Sequence, residues 1–273
     1  MAKLLVTHIN PHMDDIAAIW LFKRFNPEFS DAQIKFLPTA IEAVTWEGKP
    51  ADSDPDVIHF GIGRGRYDEH KGDINDCATS LVWRDVKDKA EGLEKAALQE
   101  IVDWETLDDT GRLSQGEYPE FSIPAWIRPK DATKIESSYE AMKLGSEILD
   151  RLLQVLVRKQ QSLKDWESRV EFQSIFGKAV AVVSETVDRG FCKQNPGEVF
   201  LMKDPKKGYA QFFTPSQTID LEPLYKKLKE LEPQVGWYLH QSHHLVICGS
   251  NSSPNEEKSK LSLGELIEVV KNL

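Results

Sequence analysis

Residues 7 to 15 read THINPHMDD and follow directly on the apolar run Leu4-Leu5-Val6. The apolar run predicts a strand over about 3 to 8, and the pattern after it a helix over about 14 to 25. Further strands are expected at about 33 to 37 and 56 to 62. Strands that alternate with helices predict an α/β unit with a parallel sheet. In an open parallel sheet, ligands gather in the crevice beyond the carboxyl ends of the strands, and THINPHMDD falls there. His8, His12, Asp14 and Asp15 would then occupy the loop and the first turn of the helix. Imidazole together with carboxylate suits manganese, iron or zinc, whereas carboxylates alone favour magnesium. A helix cap would account for one of these aspartates but not for the whole cluster.

A second cluster lies in VIHFGIGRGRYDEHKGD, residues 57 to 73, where another apolar strand ends, glycines at 61, 63 and 65 permit a tight turn, and Asp68, Glu69 and His70 follow. The glycines lack the helix start and the lysine-serine ending of a P-loop. A third is IVDWETLDDTGRL, which holds Asp103, Asp108 and Asp109. Asp103 falls on a helical face beside Trp104, where a solvated surface charge is an equal reading. Thr110 and Gly111 end the helix and leave Asp109 at a loop, where its carboxylate can turn toward a metal.

The remainder of the chain is read from periodicity and breakers. DCATSLVWRDVKD predicts a helix from near Asp76, and EGLEKAALQEIVDWETLDD a second. Residues 113 to 130, with Gly116 and prolines at 119, 124 and 129, predict a loop or lid over the site. Residues 133 to 168 predict one long amphipathic helix linking two domains, 1 to 132 and 169 to 273. That helix is also the candidate seam of a homodimer. KAVAVVSET, EVFLMKD, YAQFFTP, GWYLH and HLVICGS predict strands, and about 220 to 231 and 262 to 272 predict helices, in a smaller α/β domain; SNSSPNEEKSK predicts a loop.

Composition narrows the function. The net charge of -10 opposes tight, sequence-independent binding to a long nucleic-acid duplex, which relies on lysines and arginines displacing counterions. An acidic chain still acts on phosphates where cations neutralise a carboxylate cluster. No apolar run approaches the roughly 20 residues of a membrane span, so no membrane partner is expected. The N-terminus lacks the pattern of a signal peptide, and a cytoplasmic location is the expectation. Cys77, Cys192 and Cys248, widely spaced and outside any CxxC arrangement, are expected to be reduced, buried thiols.

The three clusters, in this order, resemble motifs I, III and IV of the DHH phosphoesterase superfamily, most closely its Myg-type branch. Thr7-His8, then His12-x-Asp14 followed by Asp15-Ile16-Ala17-Ala18, are similar to that branch's opening. Its Arg-Tyr-Asp-His-His signature reads Arg66-Tyr67-Asp68-Glu69-His70 here, with glutamate for the middle histidine. Motif II has no aspartate; His59 in DVIHFG is the positional match. Asp109-Thr110-Gly111-Arg112 resembles the Asp-Thr-Gly of motif IV, and the Myg-type branch also suggests Asp103. GWYLHQSHHLVICGSNSS is similar to the family's closing segment.

The resemblance implies a metal-dependent phosphodiesterase, in the Myg-type branch a 3'-to-5' exonuclease on RNA, working on short RNA, oligonucleotides or nucleotides. It implies two divalent cations, manganese first, with magnesium or zinc as alternatives. The ligands it implies are His8, His12, Asp14, His59, Asp68, Asp103 and Asp109, with Asp68 as the bridge. Asp15, Glu69 and His70 are the implied catalytic residues. Arg66 and Arg112 would contact the phosphate, and His240, Gly249, Ser250, Asn251 and Ser252 would bind substrate as the second domain closes over it. The alternative expectation, motivated by Glu69 and His59, is a weakened member that binds a nucleotide or a protein without turnover. A metal-dependent hydrolase of other substrates, such as an amide, is a third.

Overall fold

The computed structural model describes residues 3–39, 44–71, 74–114, 116–128, 130–253 and 257–273. Parts of two expected loops, Gln115 and Pro129 in one and residues 254–256 in the other, fall outside them. The chain divides into two compact units, residues 1–157 and 158–273.

In the first unit, strand β1 (Leu4–His8) lies between β2 (Gln33–Leu37) and β3 (Val57–His59), parallel to both. Leu5 and Val6 are fully buried in this central position. Helix α1 (Met13–Phe25) is buried along its whole length from Met13 to Phe22. A helix that is covered all round carries its polar residues inside with it, so Asp14 and Asp15 enter the interior. Helices α2 (Ala78–Val86) and α3 (Gly92–Asp109) pack against α1. On α3 the buried stripe runs Ala97, Leu98, Ile101, Val102, Glu105.

The stretch expected to be a lid contains a 3-10 turn at Pro119–Phe121 and helix α4 (Ile123–Ile127), and Ile127 is buried in the first core. The segment is thus partly anchored rather than free. Helix α5 (Ile135–Trp166) is unbroken, as its periodicity predicts. It is not a separate linker, because the units divide inside it. Met142, Leu149 and Leu153 belong to the first core, and a Cβ at Gly145 would strike Ile16, so α5 and α1 touch backbone to side chain there. Trp166, at its other end, belongs to a core of the second unit.

The second unit is a six-stranded mixed sheet in the order β4 (Val170–Ser174), β5 (Gly177–Val183), β6 (Val199–Lys203), β7 (Ala210–Phe213), β9 (Leu245–Cys248), β8 (Trp237–Leu239). Only β5 and β6 pair in parallel. Residues alternate along β5: Ala179 and Ala181 pack into one core with α7 (Glu222–Leu231) and α8 (Leu263–Lys271), while Val180 and Val182 pack into another with Trp166 and Phe200. That period of two lets one strand serve both faces. Strand β4, in which Glu171 and Gln173 interrupt the apolar residues, and the five-residue helix α6 (Arg189–Lys193) have no counterpart in the sequence expectations. Cys77, Cys192 and Cys248 are buried and unbridged. No described helix is long and apolar enough to cross a membrane.

Candidate metal centre

β1 stops at His8, and Asn10, at φ 57°, turns the chain toward α1. The turn is held from the start of α5, where Ser138 Oγ accepts the Asn10 N–H at 3.0 Å. Asp15 is the anchor of the loop. Its Oδ1 accepts the Thr7 hydroxyl at 3.0 Å, and its Oδ2 accepts the His12 N–H at 2.8 Å and lies 2.9 Å from His8 Nε2. The other ring nitrogen of His8 donates to the Ile9 carbonyl at 2.8 Å. Burial alone would discharge His8, but the hydrogen bond and charge of Asp15 raise its pKa to about 9. Burial pushes Asp15 the opposite way from its partners, and the bond and charge of His8 win, holding its carboxyl below the usual range. His12 projects its ring edge-on to His8, centroids 5.1 Å apart.

Asp14, one residue earlier, faces the opposite wall. Its two oxygens accept the N–H groups of Ala78 and Thr79, each at 2.9 Å. These are first-turn donors of α2, which have no partner within their own helix and carry the positive end of its dipole. Burial and the charge of Asp15 nonetheless push the Asp14 carboxyl up.

After β3 the chain bends back, and Tyr67 stacks on Phe60 with centroids 5.4 Å apart. That contact delivers Asp68, Glu69 and His70 to the mouth of β1. Gly61 is required here: it adopts φ +61°, and a Cβ on it would collide with Asp15 Oδ1. Asp68 is buried and fully engaged, accepting the N–H groups of Arg64 and His70 and the His70 ring nitrogen Nδ1, the last at 2.7 Å. The His70 side chain is 68% exposed. Glu69 differs: its Oε2 is buried with no hydrogen-bond partner among the described residues. Burial and then the charge of Asp14 raise its pKa to about 8. Asp109, at the end of α3, is raised to about 6 by partial burial and by Asp14 and Asp15.

Among the described residues of the first unit, three groups of metal-type donors result, each with donor atoms mutually within 4.8 Å: His8, His12 and Asp15; Asp68, Glu69 and His70; and Asp14, Glu69 and Asp109. Glu69 is common to the last two. A carboxylate oxygen buried without a partner beside two further carboxylates is the donor chemistry that a divalent cation satisfies, so the residues fit such an ion. Beside them lies a cavity of about 510 Å³, lined by His12, Asp14 and Asp109 and, opposite, by Pro124, Ile127 and Arg128.

Several expected residues do not join these groups. Asp103 lies on the solvent face of α3 and accepts Gln99 Nε2 at 2.7 Å; the buried stripe excludes its side of the helix. His59 is buried, but its Nε2 accepts the Trp46 N–H at 3.1 Å, and a neutral imidazole has one lone pair. No lone pair remains for a cation unless that bond breaks. The Arg66 guanidinium is paired with Asp85 at 2.7 Å and lines a different cavity with Tyr67 and Asp52. Arg112 bonds Thr110 Oγ1 at 2.8 Å and Asn75 Oδ1 at 3.4 Å.

In the second unit, His240 and Gly249-Ser250-Asn251-Ser252 do not form one loop. β8 and β9 are antiparallel, with Leu239 opposite Val246 and Trp237 opposite Cys248, so His240 sits at one end of the hairpin and Gly249 just past the other. At roughly 3.4 Å per residue, four strand residues separate them by more than 10 Å. His240 bonds Ser242 at 2.9 Å, and Asn251 accepts Lys207 Nζ at 2.9 Å.

One residue escaped the sequence reading. Glu105 is 1% exposed, and neither carboxylate oxygen has a hydrogen-bond partner among the described residues. Its signal was positional: it stands four residues after Ile101 on the apolar stripe of α3, where a charge is unexpected.

No protein-family model matches the chain, and no curated protein matches it. Among solved structures it resembles RecJ from Thermus thermophilus in complex with Mg2+, at 11% identity and a TM-score of 0.34, covering 99% of this chain and 49% of RecJ. It also resembles the DHH domain of a member of the s1p family of ribosomal proteins, at 12% identity and a TM-score of 0.34, covering 99% of this chain and 86% of that one. The chain spans about half the length of the RecJ chain. At such scores the functional reading rests on the residues themselves.

Proposed function

We propose that this chain is a metal-dependent phosphoesterase of the DHH superfamily that hydrolyses phosphodiester bonds in short RNA or oligonucleotides. The observation that carries the reading is the convergence of THINPHMDD, YDEH and DDTG on one spot, with Glu69 shared between two donor groups. Arg66-Tyr67-Asp68-Glu69-His70 supports the Myg-type branch and hence a 3'-to-5' exonuclease. His8, His12 and Asp15 form one ligand set, and Asp14, Glu69 and Asp109 the other. The mixed nitrogen and oxygen donors favour manganese, with magnesium or zinc as alternatives. Such cations would neutralise the phosphate and acidify an attacking water.

The protein's own groups supply the remainder. Glu69 belongs to the set of Asp14 and Asp109 in this reading, and no residue is common to the sets proposed for the two cations. Asp68 instead orients His70, whose Nδ1 it binds at 2.7 Å, leaving Nε2 to deliver a proton to the departing oxygen. A cavity of about 510 Å³ has the size of a nucleotide site, with Pro124 and Ile127 for an apolar surface and Arg128 for a phosphate. Buried, unbridged cysteines support a reducing, cytoplasmic setting.

The test is hydrolysis of bis(p-nitrophenyl) phosphate and a short RNA by chelator-treated protein resupplied with Mn2+, Mg2+ or Zn2+. The expected result is metal-dependent release of mononucleotides, slowed about 100-fold or more in folded Asp14→Ala and His70→Ala variants. Wild-type turnover in both variants, or no turnover by the wild type with any of the three ions, overturns the reading.

A further inference from the structure

We propose that the second unit carries a site for a phosphate monoester, built by Arg189, Lys193 and His240 at one end of its sheet. It takes no metal, and it stands or falls independently of the phosphoesterase reading.

The site is a cavity of about 210 Å³ lined by residues of α6, of the turn after β7 and of the turn that joins β8 to β9. Phe213 and Leu245 are partners at the end of the β7–β9 pair, and just beyond them the Thr214 N–H donates to the His244 carbonyl at 3.0 Å. That bond ties the two turns together. Phe213, Pro215 and Leu245 supply an apolar wall. Arg189 and Lys193 stand four apart on α6, so their exposed side chains leave the same face of the helix. Both line the cavity, and Lys193 Nζ lies 5.9 Å from the centre of the Phe213 ring.

Three observations point to an anion. Among the described residues, the cavity is lined by two cations and two histidines and by no carboxylate. The acid that precedes Arg189 is occupied: Asp188 Oδ1 accepts the Phe191 N–H at 2.9 Å. Second, the Arg189 guanidinium has no partner among the described residues, whereas Arg24, Arg66, Arg84 and Arg169 each hold an acid. Third, His240 is set as a donor. Its Nδ1 accepts the Ser242 N–H at 3.2 Å, so in the neutral ring the proton sits on Nε2. The wider field does not oppose an anion either: the net charge of -10 falls on the first unit, and the second is close to neutral.

A carboxylate is satisfied by a guanidinium alone, in a two-pronged pair. A guanidinium, an ammonium and an imidazole N–H around one cavity instead match the three terminal oxygens of a phosphate monoester. The ester's single substituent is left for the apolar wall. Separate surface cations, each held by water, are the competing account.

Calorimetric titration of the full chain separates the two accounts, with a chelator present so that phosphate cannot bind through metal ions. Inorganic phosphate, phenyl phosphate and benzoate are titrated into the wild type, Arg189→Glu, Lys193→Glu and Lys227→Glu. Lys227→Glu reverses a charge on α7, away from the cavity lining. Phenyl phosphate should bind the wild type at least about 10-fold more tightly than benzoate. Arg189→Glu and Lys193→Glu should each lose about 10-fold or more of that affinity, and Lys227→Glu should keep it. The proposal is overturned if neither phosphate binds the wild type, or if benzoate binds as tightly as phenyl phosphate. It is equally overturned by wild-type affinity in either cavity variant, or by an equal loss in Lys227→Glu, which would mark an effect of net charge alone. Should a charge reversal fail to fold, the glutamine variant at the same position decides, and unchanged affinity there overturns the site.

Discussion

Both units bury hydroxyls, but among the described residues only the first buries carboxylates and an imidazole. Asp14, Asp15, His59, Asp68, Asp76 and Glu105 are buried in the first, whereas Ser162, Ser184, Thr214 and Ser259 are the buried polar residues described in the second. A buried hydroxyl is satisfied by one or two local bonds, as when Ser184 Oγ reaches Asp165 at 2.6 Å. A buried carboxylate demands several donors or a cation. The second unit is therefore built for packing, and the first carries electrostatic strain at one spot. Strain of this kind collects at functional sites, where the fold around it must compensate.

The largest effect that would sharpen this contrast is a core truncation in the second unit. Phe212 is fully buried between its sheet and helices, and Phe212→Ala should cost about 3–5 kcal/mol in urea unfolding. A cost below about 1 kcal/mol would break the picture of that unit as tightly packed.

The next effect has the opposite sign. Glu105→Gln, in the presence of a chelator, should stabilise the protein by about 1–3 kcal/mol at pH 8, because it replaces an uncompensated acid with a neutral amide. The gain follows from the raised carboxyl: below about pH 4, near the unfolded value, both states hold the proton and Glu105 has no pH-dependent effect. As pH rises above that value the unfolded chain releases the proton while the folded one keeps it, so wild-type stability falls. Urea midpoints at pH 4 and pH 8 check it, and an advantage that shrinks with rising pH would refute the strain.

The smallest effect is on the surface of the second unit. Glu222 and Lys226 form an exposed pair at 3.0 Å, four residues apart on α7. Glu222→Ala should change stability by no more than about 0.5 kcal/mol, and salt should abolish the difference.

Much of the site was legible because its signals are local. An apolar triplet followed by THINPHMDD specifies a strand, a turn and a helix, and the acids after Tyr67 and at the end of α3 stand out by type. The face of α3 was not read from the sequence: only the buried stripe Leu98, Ile101, Val102 and Glu105 shows that helical steps reach Asp109 and leave Asp103 outside. Glu105 was passed over because a single glutamate in a helix is ordinary until the faces of that helix are known. Strand β4 was obscured by the polar residues of an edge strand. The separation of His240 from Gly249 required strand direction, which no residue type encodes.

By itself, the sequence determined the α/β alternation, the long helix and the three segments that bear metal-type ligands, since periodicity and residue chemistry act over a few neighbours. Only the tertiary structure decided which groups meet. The α2 N-terminus binds Asp14 from 64 residues away, Tyr67 folds onto Phe60 so that Glu69 stands between two sets of acids, and Asp85 holds Arg66 elsewhere. Those outcomes depend on how α1, α2 and α3 pack around the buried end of β1, where contacts distant in sequence compete for the same few carboxylate oxygens.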